Sequence, residues 1–483
     1  MMKQVFTKPF SILNAFRLIT FAMLMASFIS VKAQSKKKPN IIFILADDLG
    51  YGNVHSFNPN SKIPTPNLDK LTEEGIKFTR FYSGNTVCAP SRCALMTGYT
   101  MGHAWIRGNA KAKDGLAALR AQDTTLAERL KGNGYKTGMF GKWGLGDEDS
   151  KGAPHLKGFD SFYGYLDQSH AHDYYTNHLY EIIGGKTVEV PVDTTKYTED
   201  LIVNKAVDFI NTNKDQPFFL YLPLTVPHAE LKVPVELLKQ FQYADGSSKF
   251  PPETPFEKKG NYGSQAQPHA TFAAMVNKLD ADLGTIVALI KKLGLDNDTY
   301  IFFTSDNGPH KEGGADPVFF NSSGEFRGVK RDLYEGGIRI PLIVRAPGKI
   351  AAGQVNPTPW AFWDVLPTIN ELTGTTSPKN IDGLSFSPLL SGKKAVKEHE
   401  YFYWQFNENG LKEALTKGDW KLIRFKEKGT AEKLELYNLK ADIGEKNNIA
   451  AKNPETVKLL YTLMKQAKTP SENPLFEWSE IEK

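Results

Sequence analysis

The sequence predicts an α/β fold: a large mixed, mostly parallel sheet flanked by helices, followed by a smaller C-terminal antiparallel sheet with one helix. Two observations predict it. From about residue 38 to 390, short apolar runs alternate with amphipathic segments, the pattern of strands joined through helices. After about residue 395 the texture changes to short aromatic or alternating segments separated by glycine turns, closing with a helical stretch from about Pro454 to Ala467.

The elements follow in order. IIFILA (41–46) is apolar throughout, as a strand buried on both faces must be. Thr65-Pro66 offers a cap and a first-turn proline for a helix through LDKLTEE, which Gly75 ends. Thr125 with Glu128 forms a capping-box pattern for a second helix. KTGMFG (136–141), PFFLYL (217–222), TYIFFTS (299–305) and PLIV (341–344) read as strands, with a long helix from about Thr271 to Leu293. HEYFYWQF, LKEALT, DWKLIRF and EKLELYNL supply the C-terminal strands.

Of 483 residues, 59 are Lys or Arg and 54 are Asp or Glu. Four of the basic ones (Lys3, Lys8, Arg17, Lys32) lie in the first 33 positions, so the remainder carries 55 basic against 54 acidic residues, a net +1. A nearly neutral body excludes a nucleic-acid binder, whose affinity depends on a strong basic excess. The first 33 residues have a basic start, an uncharged run from Leu18 to Val31, and small residues around Val31-Lys32-Ala33. That is the composition of a cleavable secretory signal; the run falls short of the roughly 20 residues that span a bilayer. No cysteine follows it to take a lipid, so the mature protein is expected in the periplasm or outside the cell, with no membrane span.

The only cysteines are Cys88 and Cys93. If Cys93 sits in the helix following Cys88, the geometry does not suit a disulfide.

Polar residues fall just after the apolar runs: Asp47-Asp48, Lys142, His228 and Asp306-Asn307. The carboxyl ends of parallel strands share one edge, where open α/β folds place ligands. Taken singly, acids and amides there are ordinary turn formers; together they point to a site. Three carboxylates and an amide oxygen, with no histidine or thiolate adjacent in sequence, suit a hard cation, Ca²⁺ or Mg²⁺, and disfavour zinc. A cluster of three carboxylates would also be costly to assemble without a cation.

The most specific segment is Cys88-Ala89-Pro90-Ser91-Arg92, continued by Leu95, Thr97 and Gly98. It resembles the C-x-P-S-R motif of the formylglycine-dependent sulfatases of the alkaline-phosphatase-like superfamily. PNIIFILADDLGYG, the Gly-Lys-Trp at 141–143, Pro227-His228, SDNG at 305–308, Lys330 with YEGGIRIP and the ending ELYNLKADIGEKNNIA resemble further landmarks in the expected order. The resemblance spans about residues 38–470.

It implies a sulfatase that hydrolyses sulfate monoesters on a sulfated carbohydrate, with Cys88 converted to formylglycine by a maturation enzyme. One Ca²⁺ would be bound by Asp47, Asp48, Asp306, Asn307 and residue 88. A hydroxyl of the hydrated aldehyde would attack sulfur, with Asp306 as proton acceptor. Arg92 would orient residue 88, Lys142 and Lys330 would hold the sulfate, and His228 would protonate the leaving oxygen. The implied domains are a signal peptide at 1–33, a catalytic domain at 34–394 and an α+β subdomain at 395–483. Runner-up readings are a phosphonate or phosphodiester hydrolase of the same superfamily, and a catalytically silent glycan-binding protein.

One departure stands out. The family often has a histidine where this chain has Gly144. DQSHAHDYY (167–175) offers His170 and His172 as substitutes, as a sugar-binding wall, or as loop packing. His103 and Arg107, in MGHAWIRGN, are candidate pocket residues, with structural packing the equal alternative.

Overall fold

The structure, a computed structural model, describes residues 1–5, 38–110, 117–394, 397–408 and 410–478. Contacts divide the chain into Met1–Lys38 and Pro39–Lys483. Nearly all of the expected signal peptide lies outside the described residues. Among those described, no helix is long and apolar enough to cross a membrane.

Eleven strands form the large sheet of the second unit. In chain order these are β1 (Asn40–Ala46), β2 (Ile76–Tyr82), β3 (Lys136–Lys142), β4 (Ser161–Tyr165), β5 (His178–Ile183), β6 (Lys186–Pro191), β7 (Phe218–Pro223), β8 (Thr299–Ser305), β9 (Arg339–Arg345), β10 (Gln354–Asn356) and β11 (Trp360–Ala361). The spatial order is β10-β2-β9-β8-β1-β7-β3-β4-β5-β6, with β11 alongside β2. The five central strands, β8-β1-β7-β3-β4, are all parallel, and antiparallel pairs occur towards the margins. The mixed, mostly parallel sheet is therefore present as expected.

Side chains alternate across a strand, so β1 feeds two cores. Ile41, Phe43 and Leu45 enter one, with the helices Cys88–Thr97, Leu126–Gly132 and Val365–Thr373. Ile42, Ile44 and Ala46 enter the other, under Pro66–Glu73, Thr198–Asn213 and Pro268–Lys292. A strand covered on both faces must be apolar at every position, which is what IIFILA showed.

Thr125 and Glu128 close the expected capping box. Thr65 does not cap its helix through its side chain; its hydroxyl accepts from the His55 amide at 3.0 Å. The helix's free N–H groups at Asn67 and Leu68 donate instead to the Asp280 carboxylate, at 3.1 and 2.8 Å. A tertiary partner has replaced the local cap.

The second sheet is antiparallel: β12 (Phe402–Asn407), β13 (Leu411–Lys417), β14 (Trp420–Lys426) and β15 (Lys433–Asn438). The helix Pro454–Gln466 covers one face through Leu460 and Met464. The other face meets the large sheet, where Trp404 packs with Tyr82 and Trp363 and donates its indole N–H to Ser83 O at 2.9 Å.

Candidate active site

Parallel pairing assembles the site. Ala46 and Ser305 are register partners, so Asp47-Asp48 and Asp306-Asn307 emerge side by side from β1 and β8. Lys142 ends β3, two strands away, and His228 follows β7 between them. Asp48 bends the chain with a left-handed φ of 64° and donates its N–H to Asp306 Oδ1 at 3.0 Å.

Cys88 opens the helix Cys88–Thr97 over this edge, and its Sγ lies 3.3 Å from Asp47 Oδ1. Ser91 pins the helix by donating to Asp306 O at 2.6 Å, while Asn109 Oδ1 accepts from Ala89 N at 3.0 Å. Both cysteines are free and buried, as the helical spacing predicted.

The carboxylates are met by three basic side chains. Arg92, fully buried, donates to Asp306 Oδ2 at 2.9 Å, to Asp47 Oδ2 at 3.1 Å and to Lys142 O at 2.6 Å. Lys142 Nζ stands 2.6 Å from Asp47 Oδ2, and Lys330 Nζ 2.8 Å from Asp48 Oδ2. Basic side chains from three other segments thus neutralise the carboxylates. Charge alone does not require a metal.

The donor chemistry nevertheless fits one. Asn307 donates to Asp48 Oδ1 at 2.6 Å, yet its Oδ1 is buried with no partner, an arrangement costing roughly 1–3 kcal/mol until something completes it. The neighbourhood is not purely oxygen, because Asp47, Asp48, Cys88 and His228 each bring a ligand-capable atom within 4.8 Å of the others. The fold, not the sequence, brings the imidazole and the thiol to these acids.

Burial pushes Asp47 up, but Lys142, Arg92 and Lys330 together hold its carboxyl well below the usual range. Burial and the Asp47 charge raise Asp306 to about 7, near where a group can both accept and release a proton. Burial, then Asp306 and Asp47, push the Cys88 thiol well up. A protonated thiol is a poor nucleophile.

His228 is buried, and burial with the Lys330 charge holds it well below the ordinary imidazole range, so it is neutral. Its Nδ1 faces Ala229 O, and its Nε2 lies 2.9 Å from Lys330 Nζ and 3.3 Å from Asp48 Oδ2. A neutral ring whose Nδ1 proton goes to a carbonyl receives a hydrogen bond at Nε2 from Lys330. The proton between the two groups accordingly sits on Lys330.

The two loop histidines part company. His172 stacks on His228, centroids 4.7 Å apart, with Tyr262 beyond it, and its Nδ1 is buried without a partner. His170 hydrogen-bonds Thr176 at 2.8 Å and stacks on His178: it is loop packing. His103 pairs with Asp382 at 2.9 Å, and Arg107 donates to the carbonyls of Ala104 and Thr469, each at 2.9 Å. Both line a separate cleft with Trp105 and Arg120, so the structure does not bring them to the site.

Sequence reasoning missed Glu312 and His310. Glu312 accepts from Lys330 at 3.2 Å and also pairs with Arg331, while His310 stacks on the far face of His228 at 5.5 Å. Both follow SDNG within seven residues, but nothing in PHKEGG marks them. Beside Cys88, a cleft of about 750 Å³ is lined by residues including Ala89, Asn109, Gly144, Gln168, Arg331 and Glu408.

The family model described as Sulfatase matches residues 39–375, and one described as N-sulphoglucosamine sulphohydrolase, C-terminal, matches 324–472. The chain is 32% identical over 405 residues to the N-acetylgalactosamine-6-sulfatase of Rattus norvegicus, covering 78% of this chain and 70% of the relative. It is 28% identical over 515 residues to the N-acetylgalactosamine-6-O-sulfatase of Bacteroides thetaiotaomicron, covering 90% and 94%. Among solved structures, Ps i-CgsB in complex with k-i-k-neocarrahexaose superposes with a TM-score of 0.73 at 27% identity, covering 89% and 92%.

Proposed function

Because the chain belongs to the sulfatase family and so hydrolyses sulfuric esters, we propose that it acts on sulfate monoesters of a sulfated carbohydrate outside the cytoplasm. Its nucleophile is residue 88 after conversion to formylglycine, and its metal is one Ca²⁺. The observation that carries this reading is the setting of Cys88: 3.3 Å from Asp47, with Lys142 and Lys330 on the adjoining carboxylates. Export is supported by the composition of residues 1–33, and the catalytic and C-terminal parts divide near residue 394. The carbohydrate reading draws support from relatives named for N-acetylgalactosamine sulfate and from the oligosaccharide complex.

A hydrated formylglycine supplies a hydroxyl nucleophile where the buried thiol would be inert. Ca²⁺, when bound, is held by Asp47, Asp48, Asp306, Asn307 and residue 88, and supplies positive charge against the sulfate oxygens. The chain's own residues do the rest. Arg92 is locked between Asp306, Asp47 and the Lys142 carbonyl, so it fixes the carboxylates. Lys142 Nζ has protons beyond the one shared with Asp47, and these bind the sulfate; Lys330 Nζ, whose three protons face Asp48, Glu312 and His228, turns one of them to the sulfate. Asp306 takes the nucleophile's proton. His228 and Lys330 share a hydrogen bond. As the leaving oxygen gains charge, the proton that Lys330 shares with His228 Nε2 moves onto Nε2 and from there to the leaving oxygen, and solvent returns a proton to Lys330.

The test uses protein produced with a formylglycine-generating enzyme. The peptide spanning residue 88 should show the aldehyde by mass spectrometry. Purified enzyme should turn over members of a panel of sulfated mono- and disaccharides far faster than matched phosphate esters. Chelation should abolish turnover and Ca²⁺ should restore it. Full activity with an unmodified thiol, or stoichiometric zinc in the active protein, would overturn this reading.

A further inference from the structure

Gly144, directly after β3, has a φ of 76°, and its N–H donates to Leu166 O at 2.9 Å. A Cβ built on it would lie 2.1 Å from Gln168 Nε2. The carboxamide of Gln168 therefore fills the space that a side chain at 144 would take. Asp167 holds the turn by accepting from the amides of Ser169 and His170, at 2.7 and 3.0 Å. Both polar atoms of Gln168, Nε2 and Oε1, are buried and unpartnered, although the residue lines the cleft beside Ala89. A buried amide left unmatched at both ends is unfavourable until something completes it.

We propose that Gln168 is a specificity-determining residue that hydrogen-bonds a hydroxyl of the sugar bearing the scissile sulfate. This rests on the carbohydrate reading above. A carboxamide offers a donor and an acceptor side by side, which suits adjacent hydroxyls. It carries no titratable proton, so its contribution is to binding and orientation. Gly144 is required because any larger residue would evict it.

The assignment is tested with Gln168→Ala assayed on a sulfated saccharide and on an aryl sulfate that lacks the sugar. For the saccharide, KM should rise about 10- to 100-fold with kcat within a few-fold, the mark of a lost binding contact. Both parameters for the aryl sulfate should stay within about two-fold, since that substrate has no hydroxyl to lose. Gly144→Ala should raise KM on the saccharide similarly and add nothing in the Gln168→Ala background; the strain of a side chain at this φ is common to both. Equal losses on both substrates, or an unchanged KM for the saccharide, would overturn the assignment. Wild-type turnover of aryl sulfate with none of any sulfated saccharide would instead sink the carbohydrate reading and this assignment with it.

Discussion

Two clusters of buried charge use the same ingredients in different places. At the carboxyl edge of the large sheet, Arg92, Lys142 and Lys330 meet three aspartates. At the joint between the two sheets, Lys421 on β14 lies 2.9 Å from Glu335 and 3.0 Å from Glu445, and the Tyr82 hydroxyl donates to Glu335 at 3.0 Å. Both clusters split their acids. At the joint, Lys421 and Arg339 outweigh burial and hold Glu335 down to about 2, while burial raises Glu445 to about 7. At the edge, Asp47 is held down and Asp306 raised. The difference lies in what remains free. The edge cluster leaves Asn307 Oδ1 unmatched and holds Cys88, whose neighbour Ala89 lines a cleft. The joint is enclosed by protein and holds two layers together. Buried charge is common to both clusters; the thiol and the unmatched amide oxygen are found at the edge.

The largest effect that can test this contrast is Cys88→Ala. Turnover of any sulfate ester should fall by at least about 10⁴-fold, since the nucleophile is lost. The melting temperature should barely move, because the thiol's bond is one 3.3 Å contact to Asp47. A large loss of stability would make residue 88 structural and break the comparison. Next comes His228→Ala. Hydrolysis of a sugar sulfate should slow by roughly 10²- to 10⁴-fold, and of an aryl sulfate far less, because a phenolate leaves with little proton assistance. Equal losses would reassign His228 to binding.

At the joint the signs reverse. Lys421→Met should cost about 3–5 kcal/mol in urea unfolding, as it strands Glu335 and Glu445, while kcat of the folded fraction is unchanged. A fall in kcat would show that the joint feeds the site. The smallest effect concerns a third cluster. Burial and the nearby Asp282 raise Glu199 from 4.5 to about 8, and Thr225 Oγ1 donates to its Oε2 at 2.9 Å. The folded chain thus keeps a proton that the unfolded chain releases, so stability is present at low pH and declines as pH rises from about 4.5 through about 8. Glu199→Gln should flatten that decline, gaining on the order of 2 °C in melting temperature at pH 8 relative to pH 5. An unchanged slope would show that Glu199 does not titrate in this window.

Continuous apolar runs made the central strands readable, because a doubly covered strand has no polar position to confuse the signal. The strands β2, β4, β5 and β6 and the helix Thr198–Asn213 escaped. Their positions mix buried residues with partly or fully exposed ones, and their pairing depends on distant partners.

The order of landmarks from Asp47 to Lys330, and the C-A-P-S-R segment, were properties of the sequence by itself. Each of those residues sits in a local motif whose spacing and strand or helix end can be read along the chain. Tertiary structure alone decided which polar groups complete the site. Asp280 caps a helix that Thr65 was expected to cap, Glu312 pairs with Lys330 and His310 stacks on His228. His172 enters the site while His170 does not, and Gln168 fills the space over Gly144. The physical reason is the same throughout: a hydrogen bond or ion pair is satisfied by whichever group the fold brings within about 3 Å. Proximity of that kind, across a hundred residues or more, leaves no local pattern to read.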